Sequence, residues 1–213
     1  MVRQVVQKEL ATRKTVSEVD LLDFGCSPGV LLADLAKLGS LASGVDTSEA
    51  MIAKARAHLA SIDLGKVNLE CLRDSSGTGD YQTRRYDIVV CTSVLEFIPD
   101  MESAISKLAA CMRSGGILIL SVPNRQSVLR RSERFIYRYP KSFRQFPKLH
   151  HLTSSDSYLS IQQHQLTLAE LTSIAESYGL RKEEHLFHVA PQMLGSLERR
   201  SSVGMMMMAV FRK

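Results

Sequence analysis

Residues 21–29, LLDFGCSPG, run an apolar strand straight into a turn in which Gly25 and Gly29 bracket Cys26, Ser27 and Pro28, and an apolar helix follows at once. A junction this tight constrains the fold, because it sets a strand beside a helix start whose first backbone N–H groups have no partner within the helix and can hold a ligand. Gly25 can adopt backbone angles closed to other residues, and Gly29, lacking a Cβ, lets a ligand lie against the main chain. Ser27 suits an N-cap and Pro28 the first helical position, so the spacing predicts a helix over 29–38 that starts at the turn.

Beyond this junction, short apolar runs alternate with helical periodicities. Strands are predicted at 20–25, 40–46, 68–74, 86–93 and 116–122, each β-rich or continuously apolar, as a strand buried on both faces should be. Helix 48–60 sets Met51, Ala55 and Leu59 on one face, helix 101–113 does so with Ile105, Leu108 and Met112, and VVQKELATRK forms a helix at the start of the chain. This alternation predicts an α/β fold with a mostly parallel sheet and helices on both faces. After residue 124 the pattern changes. Thr167 and Glu170 give a capping-box signal, Leu168, Leu171, Ile174 and Ala175 an apolar face, and Gly179 a stop. Strands at 182–190 and 203–211 then follow one another without a helix, predicting an antiparallel pair at the sheet edge, with the four methionines of the last strand as core filler.

With 213 residues, 45% apolar and 23% charged, the chain is expected to form one compact domain over 1–213. Cys26, Cys71, Cys91 and Cys111 show no Cys-x-x-Cys pair and read as reduced core thiols, which fits a cytoplasmic compartment. No stretch approaches the roughly 20 apolar residues of a membrane-spanning helix, and the N-terminus has no apolar signal core, so the chain is expected to be neither secreted nor transmembrane.

Several segments in register resemble the class I S-adenosylmethionine-dependent methyltransferase family. LLDFGCSPG is similar to its first motif, GVDTSEAMIAKARAH to its second-strand segment, and RYDIVVCTSVLEFIPDMESAISKLAACMRSGGILILSVPN to the run through its fourth and fifth strands. Within the family, SVLEFIPD, SVPN and HQLTLAEL are most similar to the small-molecule branch that includes ubiquinone-type O-methyltransferases. The resemblance implies a Rossmann-like sheet of seven strands with an antiparallel last strand, S-adenosylmethionine as cofactor, and methyl transfer to a small molecule, with oxygen as acceptor.

Asp46 ends the second strand 17 residues beyond Gly29, where a carboxylate can accept both hydroxyls of an adenosine ribose. By spacing alone a nicotinamide site is equally open. Dinucleotide binders use G-x-G-x-x-G, and Gly25, Ser27 and Val30 stand at those positions here, which disfavours a pyrophosphate. The resemblance implies that the turn backbone through Gly25, Cys26, Ser27 and Gly29, with water bridges near Asp23, holds the amino-acid end. It further implies that Asp74 and the Ser75 N–H bind adenine and that Thr47 and Met51 flank it. Cys91 and Thr92 end the fourth strand, facing the ligand crevice of an open sheet.

For a general base, His164 and His151 are the candidates, with His150 beside them, because imidazole titrates near neutrality and they lie where a cover should form; His185 and His188 read as strand residues. Ubiquinone-type relatives carry Glu-x-x-Glu-His where this chain reads SVLEF, so only Glu96 survives, Ser93 and Phe97 replace the other ligands, and no metal is expected.

Over 125–148 the sequence sets Arg125, Arg130, Arg131, Arg134, Arg138, Lys141, Arg144 and Lys148 against a single acid, Glu133, with aromatics interleaved. A basic lid over 125–163 is expected, suited to an anionic membrane surface, an acidic carrier protein or a phosphorylated substrate; a solvated surface helix is the plain alternative, and nucleic acid is disfavoured. Only about 20 residues precede the first strand, so either the lid is built mainly from 125–163 or the sequence is a fragment of a longer protein. Two rival functions stand beside methyl transfer: a nicotinamide-dependent oxidoreductase, and a non-catalytic methyltransferase-like binding module.

Overall fold

The computed structural model describes residues 2–12, 19–38, 41–64, 67–73, 78–143, 157–188 and 200–213. Helix α1 (Val2–Ala11) precedes strand β1 (Asp20–Phe24), α2 (Val30–Ala36), β2 (Leu41–Asp46), α3 (Glu49–Ser61), β3 (Asn68–Cys71) and β4 (Tyr86–Thr92). The chain continues through α4 (Met101–Ala110), β5 (Met112–Pro123), α5 (Val128–Arg138), the short α6 (Pro140–Phe143), α7 (Leu168–Ser177), β6 (Arg181–His188) and β7 (Met206–Arg212). The strands form one seven-stranded sheet of order β3-β2-β1-β4-β5-β7-β6. Neighbours from β3 to β5 pair in parallel, and β7 lies antiparallel to both β5 and β6.

Alternation along the central strands explains why helices cover both faces. Leu22, Val89, Cys91, Leu118 and Leu120 point to one side and pack with Ile105 and Leu108 of α4 and Leu171 and Ala175 of α7. Their neighbours Leu21, Ile88, Val90, Ile117 and Ile119 point to the other and pack with Leu10 of α1, Leu32 and Leu35 of α2, and Ile52 and Leu59 of α3. Each strand therefore buries both sides, which is why it reads as a continuous apolar run. Met207 and Met208 of the methionine tract are buried, one on each face, and the four cysteines are free thiols.

The capping box at Thr167 and Glu170 forms as the sequence indicates, and Gly179 takes a left-handed φ of 77° just past α7. Several boundaries differ. Helix α4 stops at Ala110 and Met112 opens β5, so Met112 joins the core from a strand. In α3 the buried face is Ile52, Ala55 and Leu59, with Met51 only half-buried.

The larger correction is at the turn after β1. Helix α2 starts at Val30, its N-cap is Gly29 at φ 77°, and no side chain caps it. Ser27 is not the cap, because it takes a left-handed φ of 50° and its N–H donates to Asp46 Oδ2 at 2.9 Å. Gly29 also serves packing: a Cβ there would stand 3.1 Å from that of Ala55, so its absence lets α2 meet α3.

The β1–β4 boundary is where the strand order reverses, since β1 leads outward to β2 while β4 leads the other way to β5. Loops diverge at such a point and leave a crevice at the carboxyl ends of the strands.

Candidate functional site

That crevice has a volume of about 300 Å³. Phe24 and Gly25 line it from the end of β1, Ser27 from the following turn, Asp46 from the end of β2 with Thr47 just beyond it, and Leu72 from just beyond β3. Ser93, Val94, Phe97 and Ile98 close it from the segment after β4. The lining holds one carboxylate and no lysine or arginine among the described residues. Gly25 has φ 79°, and a Cβ on it would fall 2.2 Å from Val94 Cγ2, so the turn after β1 and the turn after β4 touch only because this residue is glycine.

Asp46 is held from both sides. Its Oδ2 accepts the Ser27 N–H and its Oδ1 the Ser48 N–H, both at 2.9 Å. Each oxygen keeps a further lone pair, so the carboxylate is oriented by backbone and still able to accept from a ligand in the crevice.

Behind this surface lies a second acid. Asp23 is 2% exposed, and its Oδ2 has no hydrogen-bond partner among the described residues. Burial, with the negative charge of Asp46 adding to it, pushes the Asp23 carboxyl up to about 7. Cys26 and Cys91 do not line the crevice. Cys26 is buried, its Sγ packed where a Cβ on Gly44 would fall, and burial pushes its thiol up to about 12. Cys91 is fully buried and held protonated by desolvation, so both side chains are core thiols. Neither Gly29 nor Met51 is part of the lining, whereas Thr47 is.

His164 is half-buried, and its Nε2 lies 2.9 Å from the Ile98 carbonyl and 3.1 Å from that of Pro99. Carbonyls only accept, so a proton on Nε2 donates to them and ties His164 to the 98–99 segment. His185 lies in β6 with its ring edge-on to Phe187. Asp74, Ser75, His150 and His151 lie outside the described residues.

Glu96 sits in the single helical turn Leu95–Phe97, 3% exposed, with Oε2 unpartnered among the described residues. Burial raises its carboxyl to about 7, the Arg130 charge opposing. Its backbone carbonyl accepts the N–H groups of Gln163 at 2.7 Å and His164 at 3.3 Å, tying the 162–165 strip to the wall of the crevice. No cluster of three metal-ligating side chains exists among the described residues.

Phe24, Leu72, Val94, Phe97 and Ile98 were not legible as lining residues. The segment SVLEFIPD stands out in the sequence for its family resemblance and its missing metal ligands, while its apolar members Val94, Phe97 and Ile98 are what the crevice uses.

The basic stretch divides in two. Arg130 turns inward: its Nε donates to the Met205 carbonyl at 3.1 Å and its Nη1 to Tyr158 Oη at 2.7 Å and Glu133 Oε2 at 3.0 Å. It is a structural strut. Arg125, Arg131, Arg134 and Arg138 line a second and larger cavity, while the Lys141 side chain, Arg144 and Lys148 lie outside the described residues. No described helix is long and apolar enough to cross a membrane.

The sequence is similar to ubiquinone biosynthesis O-methyltransferases. The protein of that name from Coxiella burnetii is 35% identical over 125 residues, 59% of this chain and 52% of the relative. The one from Nitrosomonas europaea is 32% identical over 114 residues, 52% of this chain and 46% of the relative. The chain thus spans about half the length of the curated relatives it matches. Among solved structures, magnesium protoporphyrin IX methyltransferase from Synechocystis PCC 6803 with bound SAH superposes with a TM-score of 0.67 at 20% identity, covering 100% of this chain and 82% of that one. An S-adenosylmethionine-dependent methyltransferase from Clostridium acetobutylicum gives 0.66 at 13% identity, covering 99% and 89%. Residues 2–185 match the family model described as a methyltransferase domain, and with that match over most of its length the chain belongs to the methyltransferase-domain family.

Proposed function

We propose that this chain is an S-adenosylmethionine-dependent methyltransferase acting on a small molecule, with oxygen as the acceptor atom. The observation that carries the reading is Asp46, a carboxylate anchored by two backbone N–H groups at the end of β2 and facing the crevice. Two anchored oxygens side by side suit two vicinal hydroxyls of a ribose. The rest of the lining fits the nucleoside. Phe24, Leu72, Phe97 and Ile98 offer apolar surface for a purine, and the lack of a described lysine or arginine suits a group without phosphates. Oxygen as acceptor is supported by the names of the relatives at 32% to 35% identity.

When bound, the cofactor supplies a sulfonium methyl with its own leaving group. What this chain contributes is position. Asp46 and Thr47 set the sugar, and the Gly25–Ser27 backbone and the buried Asp23 lie toward the amino-acid end. The apolar turn at Val94–Ile98 keeps water from the reacting centre. Alignment of two held reactants accounts for about 7–11 kcal/mol of a barrier, enough for a transfer that needs little further acid–base help.

Calorimetry with S-adenosylhomocysteine tests the proposal. The chain should bind it, and Asp46→Ala should weaken binding at least about a hundredfold, the loss of two charge-assisted hydrogen bonds. Absence of binding to the folded protein would overturn it.

A further inference from the structure

A cavity of about 780 Å³, larger than the crevice, lies between α5 and the strip 159–165. Arg131, Arg134, Phe135 and Arg138 line it from α5 at helical spacings of three, four and seven, so they share one face of that helix. Gln162, Gln163 and Gln165 face them. Among the described residues, the lining contains four arginines and no aspartate or glutamate.

Among the described residues, three of the four charges have no acidic partner. Arg125 is paired with Glu170, but Arg134 meets the neutral Gln165 amide, at 3.2 Å, and Arg131 and Arg138 form no ion pair with a described residue. Converging guanidinium groups repel one another, and anionic oxygens between them relieve that repulsion while accepting paired N–H donors. A solvated surface helix would spread its cations around the cylinder, whereas here Arg130 is turned inward as a strut and the remainder converge on one hollow.

The wall of the hollow is also tied to the wall of the crevice. Gln163, in its wall, donates its backbone N–H to the Glu96 carbonyl at 2.7 Å, and the next two residues, Phe97 and Ile98, line the crevice. We propose that this arginine-lined hollow is the acceptor site, and that it selects a small molecule carrying two or more carboxylate or phosphate groups. Calling the ligand an acceptor rests on the methyl-transfer reading above; the anion site does not.

The test uses the intact chain and pyranine, a flat pyrene trisulfonate, followed by fluorescence anisotropy, with S-adenosylhomocysteine binding measured in parallel. Pyranine should bind, and trimesate or pyrophosphate should displace it, the more effective of the two identifying carboxylate or phosphate as the preferred group. The triple variant Arg131→Gln, Arg134→Gln, Arg138→Gln should bind pyranine at least about tenfold more weakly and keep its affinity for S-adenosylhomocysteine. Removing the same number of charges elsewhere, with Lys37→Gln, Lys54→Gln and Arg56→Gln, should leave pyranine affinity unchanged. No pyranine binding, equal binding by the arginine variant, equal loss in the distant variant, or adsorption only to phosphatidylglycerol vesicles would each overturn the proposal. Loss of S-adenosylhomocysteine binding with pyranine binding intact would strike the methyl-transfer reading and leave the anion site standing.

Discussion

Replacing Asp23 by Asn reports directly on the buried acid beneath the crevice. Asp23 is 2% exposed and its carboxyl is raised from 3.8 to about 7, first by burial and then by the charge of Asp46. In the unfolded chain the carboxyl loses its proton near pH 4, while the folded protein holds it until about pH 7. Over that window the folded state binds more protons, so the group makes stability fall as pH rises, and the loss is complete above pH 7. A displacement of about three pH units is worth about 4 kcal/mol, of which about 3 kcal/mol falls between pH 5 and pH 8. Urea unfolding of the ligand-free protein, followed by circular dichroism because the chain has no tryptophan, measures it. The fall in unfolding free energy from pH 5 to pH 8 should be about 3 kcal/mol smaller in Asp23→Asn than in the parent. Equal pH dependence in the two proteins would refute the placement of this carboxyl in a desolvated site.

Glu96→Gln should likewise remove a separate fall of about 2–3 kcal/mol as pH rises from about 4.5 to 7, by the same measurement, because burial raises that carboxyl to about 7. Gly25→Ala should cost about 1–3 kcal/mol and weaken S-adenosylhomocysteine about tenfold or more in calorimetry, since a residue at φ 79° must gain a Cβ that displaces the crevice residue Val94. Asn124→Ala should cost about 2–4 kcal/mol in thermal melts: the fully buried amide donates to the carbonyls of Ser201 at 2.6 Å and Gly204 at 2.7 Å and accepts from the Gln126 N–H at 3.0 Å. Arg212→Met should cost about 2–3 kcal/mol, because this guanidinium bonds Glu183 at 2.7 Å and Glu9 at 2.9 Å and ties α1 to the sheet edge.

The middle of the sheet was legible because its central strands are buried on both faces, which leaves apolar runs such as YDIVVCT that no surface strand would show. Helix α7 was legible from its capping box, a local signal that packing did not have to create. The start of α2 was misread for the opposite reason. Ser27 and Pro28 have the right local preferences, but the Asp46 carboxylate draws the Ser27 N–H toward it from another strand, and the helix begins only after Gly29. Asp46 itself stood out by spacing, whereas the apolar lining from Leu72 and Val94–Ile98 depends on three-dimensional convergence of loops. Cys91 sits at the end of β4 where a ligand residue was expected, yet strand alternation turns it into the core. For the arginines the charge excess was plain in the sequence; that Arg130 points inward while Arg131, Arg134 and Arg138 share a hollow is a matter of helix phase and of what packs opposite.

A crystal structure of the chain grown with S-adenosylhomocysteine tests the central claim most directly. Both ribose hydroxyls should lie within hydrogen-bonding distance of the two Asp46 carboxylate oxygens, with the purine between the apolar residues at the ends of β3 and β4. A ligand bound elsewhere, or Asp46 turned toward water with the crevice closed by side chains, would contradict the account.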